Sequence, residues 1–468
     1  MPRSPQPAAP SADPGDSSAR QASAGGESTQ EPWWLFRNDP PNTVEAAEAR
    51  KRRESKASGG RDWPEPPPWR RFHAPRELSP PKQAETEDST GGPAADTTFG
   101  VNQSYWNDLD AIAAASSGLT NRGLTFRLPR NEDDTFTPEA ERILLAVNAA
   151  IRLRRPLLVT GLPGSGKTSL AHAIAAELGL GPVLVWPITP RSRLLEDGLY
   201  RYDALDRLQQ ADLNRSTQGS ADKLPPPLID PFIRLGPAGT AFLPSPWPRV
   251  LLIDEIDKGD LQLPNELLHL FEEGRYEISE LTRARIETKQ PHHTIRTADA
   301  RMLAGSEGGI EQPLEVKLRS GFVNCDEFPI VVMTSNRERE FPPAFHRRCI
   351  RIGMPPPDEQ VLTPIVEAHF AKQPAGSQPK DKELRKEIEI FLGMAESGAA
   401  ADGESTGAGP ASIRDRAVDQ LLNALFLLTG ESQEGPTEAQ KEALRQILYR
   451  NLSDPSEDPE ASGKPGRG

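Results

Sequence analysis

A chain of 468 residues has room for two or three domains, yet 48 prolines, 37 glycines and a hydrophobic content of 36% imply an ordered centre with flexible ends. A net charge of -13 argues against a protein whose main task is to coat nucleic acid or an anionic membrane. Cys325 and Cys349 form no metal-ligand spacing and suggest a reducing, cytoplasmic setting, and the sequence has neither a bilayer-length apolar run nor a signal-peptide core.

Residues 1–30 are mainly Pro, Ala, Ser and Gly, too poor in apolar side chains to offset the entropy of ordering, so disorder is expected. Trp33-Trp34-Leu35-Phe36 is then an aromatic cluster, and residues 63–72 are a polyproline stretch bracketed by Trp63, Trp69 and Phe72. Between them, residues 45–56 read as a solvated, charged helix. Stiff polyproline and large aromatics dock at low entropic cost. The pair therefore either straps onto the chain's own globular part or docks a partner. Another flexible span, 75–97, precedes an ordered part that starts near Tyr105-Trp106-Asn107.

Ile143, Leu144, Val147, Ala150 and Ile151 recur at helical spacing over 139–155 and lead into an apolar strand at 156–160. Gly161-Leu162-Pro163-Gly164-Ser165-Gly166-Lys167-Thr168 follows, with a helix expected from Ser169 to Leu178. A glycine, four residues, then Gly-Lys-Ser/Thr between strand and helix is a phosphate-binding loop. Its glycines let backbone N–H groups point at phosphate oxygens; Lys167 would reach the β- and γ-phosphates, and the Thr168 hydroxyl would hold Mg²⁺. Residues 161–169 are thus the candidate nucleotide contacts.

A second strand is expected at 183–187. The third, Val250-Leu251-Leu252-Ile253-Asp254-Glu255, places two acids at the carboxyl edge of a parallel strand, where ligands bind. Asp254 would belong to the Mg²⁺ shell, and Glu255 would orient and polarise a water. A fourth strand, 330–334, leads to Asn336, placed to meet the γ-phosphate or the water. Arg347 and Arg348 follow, far enough from the loop in sequence to suggest a finger into a neighbouring subunit. Alternation at 275–278 and 314–318 suits the two strands of a hairpin. His292 and His293 read as ordinary surface residues.

These motifs resemble the AAA+ ATPases, and more closely the MoxR branch, over residues 105–452. Residues 161–168 match Walker A, 251–258 match Walker B, and 263–274 match the helix after it. The less generic Gly198-Leu199-Tyr200-Arg201-Tyr202-Asp203-Ala204-Leu205 and Phe232-Ile233-Arg234-Leu235-Gly236-Pro237 point to the subfamily. The resemblance implies an α/β P-loop core at 105–354, with a parallel sheet flanked by helices. It also implies an all-helical lid at 355–452, between a docking N-terminal region (1–97) and a tail (453–468). It assigns Asn336 the first sensor role and Arg348 the trans finger, although Arg347 stands where an acid is common. It also assigns Arg414, or its neighbour Arg416, the second sensor role. A hairpin insert between 274 and 328 would face the pore of a hexameric ring.

Three classes of function follow. The first is an ATP-hydrolysing ring that remodels or activates a protein client. For MoxR proteins the partner is typically a von Willebrand factor A domain protein, and the N-terminal segment is similar to those of defence-type systems. The second is a nucleotide-dependent switch with little turnover, which could dispense with Glu255. The third, a nucleic-acid motor, is disfavoured by the acidic balance and by the lack of a basic module.

Overall fold

Short apolar runs without alternation suit strands covered on both faces, and such runs build the central sheet of the computed structural model. The structure describes residues 34–38, 63–72, 99–115, 122–131, 133–218, 228–288, 292–302, 311–355, 359–370, 381–392, 418–429 and 437–449. Expectations for 1–30, Trp33, 45–56, 75–97, Arg414, Arg416 and 453–468 lie outside the described residues.

In chain order, α1 (Gln103–Ala115) and α2 (Pro138–Leu153) lead into β1 (Leu157–Thr160), α3 (Lys167–Glu177) and β2 (Leu184–Pro187). A π-helical turn, Leu194–Leu199, precedes β3 (Tyr200–Tyr202), α4 (Ala204–Gln218), β4 (Ile233–Leu235), α5 (Pro237–Ala241) and β5 (Val250–Asp254). Next come α6 (Leu263–Glu273), β6 (Arg275–Glu277), α7 (Ser279–Thr288), β7 (His293–Met302), β8 (Glu311–Leu318) and β9 (Phe322–Asn324). The core closes with β10 (Ile330–Ser335), α8 (Pro343–Arg348) and β11 (Ile350–Gly353).

α2 shows why these residues fold this way locally. Thr137 caps its first turn by accepting from the Ala140 N–H, Pro138 is preset for helix entry, and Arg154 ends it at a left-handed φ of 52°. Its buried face is Ile143, Leu144, Val147, Ala150 and Ile151, as the spacing predicts.

The central sheet runs β11-β1-β10-β5-β2, with every neighbouring pair parallel. Thr160, the last residue of β1, is in register with Ser335 of β10 and Gly353 of β11. The carboxyl ends of these strands therefore share one edge, where open α/β sheets bind ligands.

A second sheet, β3-β4-β7-β8, takes two strands from between β2 and β5 and two from between β5 and β10. It corrects the expected hairpin: β8 pairs with β7, while β6 pairs with β9. Alternation identified both segments as strands but carries no information about partners. His293 is also corrected. It is fully buried, its Nδ1 sits 2.8 Å from Asp230 Oδ1, and Asp230 Oδ2 accepts the Thr294 N–H.

α1 is tied to this sheet by a buried polar group. Arg249, 1% exposed, makes two bonds to Asp299, at 2.7 and 3.0 Å. The Tyr105 hydroxyl donates to the same carboxylate at 2.8 Å. Burial disfavours the Arg249 charge, but Asp299 outweighs it and the pKa is raised.

Residues 35–38 and 63–72 lie on the chain's own core. Leu35 and Phe36 donate their N–H groups to Asn148 of α2, and Arg37 and Asn38 donate theirs to Glu177 at the end of α3. Phe36 is fully buried. In the second segment, the Pro64 carbonyl accepts from Arg154, and Phe72 stacks on Phe328 with ring centroids 5.0 Å apart.

After β11, the described residues hold α9 (Glu359–Phe370), α10 (Asp381–Phe391), α11 (Val418–Thr429) and α12 (Glu438–Leu448). They share an apolar cluster that includes Leu362, Val366, Ile388, Phe391, Leu421 and Leu425. Buried Glu387 clamps it, accepting from Arg445 and from the Tyr449 hydroxyl.

Asp299→Ala should strand the Arg249 charge inside the core and cost about 3–5 kcal/mol of stability. The shift of the urea unfolding midpoint at neutral pH checks this, and a surface-like change under about 0.5 kcal/mol would contradict it.

Candidate nucleotide-binding site

Gly164 and Gly166 take φ of 76° and 85°, conformations that favour glycine, and bend residues 161–166 into a loop ahead of α3. A side chain on Gly166 would begin 3.2 Å from the Phe126 ring. Lys167 closes the loop on itself, its Nζ donating to the Gly161 carbonyl at 2.9 Å and to the Leu162 carbonyl at 2.6 Å. The Ser165 hydroxyl is buried with no hydrogen-bond partner among the described residues. Leu162 and Ser169 are half-buried, and Pro163 is exposed.

Asp254 joins the loop to the sheet. Its Oδ1 accepts from Thr168 Oγ1 at 3.1 Å and from Thr334 Oγ1 at 2.6 Å. Thr334 in turn accepts the Glu255 N–H at 2.8 Å. Glu255 stands at φ 58°, a left-handed turn that an L side chain rarely adopts, and so leaves the strand direction at the sheet edge. Asn336 Nδ2 donates to its Oε1 at 3.3 Å, and Lys258 Nζ lies 2.7 Å from its Oε2. Asp257 Oδ2 accepts from the Ser335 hydroxyl and from the N–H groups of Asn336 and Glu338, which fixes the turn that presents Asn336.

The sequence reading therefore brought Lys167, Thr168, Asp254, Glu255 and Asn336 to one edge. It missed Thr334, Asp257 and Lys258. Thr334 lies in the expected fourth strand and Asp257 inside the Walker B match, but neither carried a signal of its own role, whereas Lys258 lies three residues after Glu255, a local ion-pair spacing.

Arg347 and Arg348 are not part of this cluster. Among the described residues, no hydrogen bond or ion pair joins either arginine to residues 161–168. The Arg347 side chain is exposed and its carbonyl accepts from Arg155, while Arg348 Nε lies 2.7 Å from Glu272 Oε1.

Charge is concentrated at the strand ends. Burial lowers the Lys167 pKa, and Asp254, Asp257 and Glu255 pull it back up. Hydrogen bonding to Glu255 raises that of Lys258. His172, on α3, is lowered to about 4, first by burial and then by Arg122, with Asp254 opposing. The hard oxygens of Thr168 and Asp254, a lysine, a glycine-bent loop and an unsatisfied Ser165 hydroxyl fit a nucleotide phosphate and Mg²⁺.

Residues 156–349 match the family model of the AAA domain, dynein-related subfamily. The fold is the P-loop AAA+ fold. The AAA domain match starts at Pro156, just before β1, and stops just before β11. Among solved structures, NtrX from Brucella abortus in complex with ADP is 14% identical, with a TM-score of 0.31, over 70% of this chain and 59% of that one. This chain thus spans less than two thirds of the NtrX chain it matches. The FIGL-1 AAA domain in complex with ADP is 16% identical over 64% and 74%, with a TM-score of 0.27. A point mutant of RuvB from Thermotoga maritima is 14% identical over 68% and 73%, with a TM-score of 0.24. No curated protein matches the chain.

Folding favours the neutral form of His172, because its folded pKa is about 4 and its ordinary value 6.5. Its contribution is complete above about pH 6.5 and is lost as pH falls through about 4, on the order of 3 kcal/mol. Urea midpoints at roughly pH 7 and pH 4 should converge partly in His172→Gln. An unchanged gap between the two pH values in the variant would mean that His172 does not supply it.

Proposed function

We propose that this chain is a MoxR-like AAA+ ATPase that binds and hydrolyses ATP with Mg²⁺, as a ring that remodels or activates a protein client. The observation that carries the reading is the bonded line Thr168, Asp254, Thr334, Glu255 and Asn336 at the carboxyl ends of β5 and β10. It sets hard oxygen donors beside a second carboxylate that is held separately. Residues 105–354 are taken as the ATPase domain and 355–452 as the lid, with Arg414 or Arg416 as second sensor.

On this reading, the main chain of 161–166 with Lys167 and Ser169 holds the phosphates. Thr168 and Asp254 hold Mg²⁺, which when bound neutralises phosphate charge. Glu255 orients the attacking water and accepts its proton, and Asn336 steadies Glu255 Oε1 on the side nearest β10. The Lys258 ion pair on Oε2 must open or share that oxygen before the carboxylate can act as a base.

Sheet polarity supports the ring. Ile350, at the start of β11, is in register with Leu157 at the start of β1, whereas the phosphate loop follows Thr160 at its end. Arg347 and Arg348 therefore lead into the opposite end of the sheet from their own loop, about 10 Å away along the strands. A neighbouring subunit's nucleotide gives such an arginine a phosphate to reach. MoxR proteins typically work with von Willebrand factor A domain partners, which makes such a protein the first client to try.

The Lys258 to Glu255 distance of 2.7 Å favours a second reading, a nucleotide switch whose base is held off until a partner arrives.

Lys167→Ala should abolish ATP binding, while Glu255→Gln should retain it and stop turnover. ATP binding and turnover per subunit, followed against protein concentration and solution mass, check this. Turnover that rises as a larger species forms supports the ring. Tight binding without turnover at any concentration supports the switch, and unchanged turnover in Glu255→Gln removes Glu255 from its role.

Arg348→Ala should lower turnover by about 10³-fold or more if it acts as the finger. Mixed with Glu255→Gln chains, it should recover part of the activity through shared sites. No recovery at any ratio would contradict trans action.

A further inference from the structure

Glu272, near the end of α6, places one carboxylate between two arginines from distant parts of the chain. Its Oε1 accepts from Arg348 Nε at 2.7 Å, and its Oε2 lies 3.6 Å from Arg70 Nη1. Arg348 Nη1 donates to the Ala344 carbonyl at 3.3 Å. These bonds use the Nε and Nη1 sides of the guanidinium. Among the described residues, none engages Nη2, and the side chain is 40% exposed. A guanidinium held by two edges with the third unengaged is oriented without being occupied. Arg347, by contrast, has an exposed side chain with no hydrogen bond or ion pair of its own among the described residues, so the geometry seats Arg348.

Arg70 belongs to the polyproline segment and is buried at 8% exposure. Its Nη2 donates to the Arg154 carbonyl, and its guanidinium lies 4.8 and 5.1 Å from the ring centroids of Phe72 and Phe328. Phe72 occupies the space left by the absent side chain of Gly274, where a Cβ would run into its ring. Gly274 directly follows α6, so the same packing braces the helix end that carries Glu272. Arg154 completes the attachment, bonding Pro64 at 2.7 Å and Glu327 at 3.0 Å.

An arginine side chain loses rotamer entropy when it is fixed. A carboxylate that already holds it lowers what must be lost as a neighbour's phosphate arrives. Glu272 is itself kept from swinging by Arg70. We propose that Glu272 and Arg70 are positioning residues that seat Arg348 with Nη2 facing a neighbouring subunit's nucleotide, which makes the polyproline segment a working part of the trans site. The proposal rests on the reading of Arg348 as trans-acting.

The test uses full chains. Arg348→Ala chains, with an intact site but no finger, are mixed with Glu255→Gln chains, which have a finger but no working site. Turnover of the mixture then measures finger donation. Adding Glu272→Ala to the Glu255→Gln donor should cut that turnover about tenfold or more, as small misplacements of reacting groups do, with the KM for ATP moving less than about twofold. The same substitution on the Arg348→Ala chain should cost nothing further. Arg70→Gln on the donor should act in the same direction, and Glu272→Gln, which keeps an acceptor oxygen, should restore part of the loss. An active parent mixture that is unaffected by Glu272→Ala on the donor overturns the proposal and leaves trans action standing. Equal losses from either placement make Glu272 merely structural and overturn it too. A parent mixture inactive at every ratio defeats the trans reading itself. If the Glu272→Ala donor no longer binds ATP, the Glu272→Gln and Arg70→Gln donors carry the same comparison, and full activity from both overturns the proposal.

Discussion

A parallel sheet has two unlike ends, and the arrangement of this chain depends on that asymmetry. With β1 between β11 and β10, the carboxyl ends of the strands gather Asp254, Thr334, Glu255 and Asn336, and Thr168 of α3 joins them in one hydrogen-bonded line. The amino ends collect a different set: Arg154 before β1, Glu327 before β10, and Arg348 before β11. One edge suits a phosphate. The other is bound by ion pairs and by the polyproline segment, whose attachments all lie there or on the neighbouring end of α6. A single sheet thus keeps two sets of charges apart, each with its own partners.

What was legible in the sequence follows from which interactions are local. The phosphate loop is a continuous string whose glycines answer to backbone geometry, so residues 161–168 could be read directly. The strands expected at 250–255 and 330–334 could be read from the apolar runs that open them, and the face of α2 from its spacing. Thr334 could not be read in the same way. Its importance lies in bridging Asp254 and Glu255 across two strands, a closure that only the pairing of β10 with β5 creates. Asp257 organises the turn after β10 from about eighty residues away in sequence, and Glu272 meets Arg348 across a similar gap. The inserted strands failed for a related reason. Alternation fixes a strand's two faces, whereas its neighbour is chosen by topology, and β8 chose β7. His293 was misjudged because nothing near it in sequence reveals Asp230.

The N-terminal segments pose the same problem from the other side. Aromatics and polyproline marked residues 33–36 and 63–72 as docking elements without saying where they dock. Phe36 and Arg70 are buried against the core of their own chain, and Asn38 exchanges hydrogen bonds with the main chain of Phe126 and Leu128. Phe126 in turn lies against Gly166, so the first segment backs the wall of the phosphate loop while the second backs the opposite edge.

The first segment is gripped mostly through its backbone: four consecutive N–H groups, from Leu35 to Asn38, are taken up by Asn148 and Glu177. Main-chain recognition tolerates substitution at most positions and leaves Phe36 and Asn38 to set the register. Because the segment is covalently joined to its receptor, any foreign peptide of similar pattern competes against a local concentration in the millimolar range rather than against a free solute. The Asn148 and Glu177 acceptors are therefore closed to weak mimics. A strong one would have to bring affinity from contacts beyond these four residues.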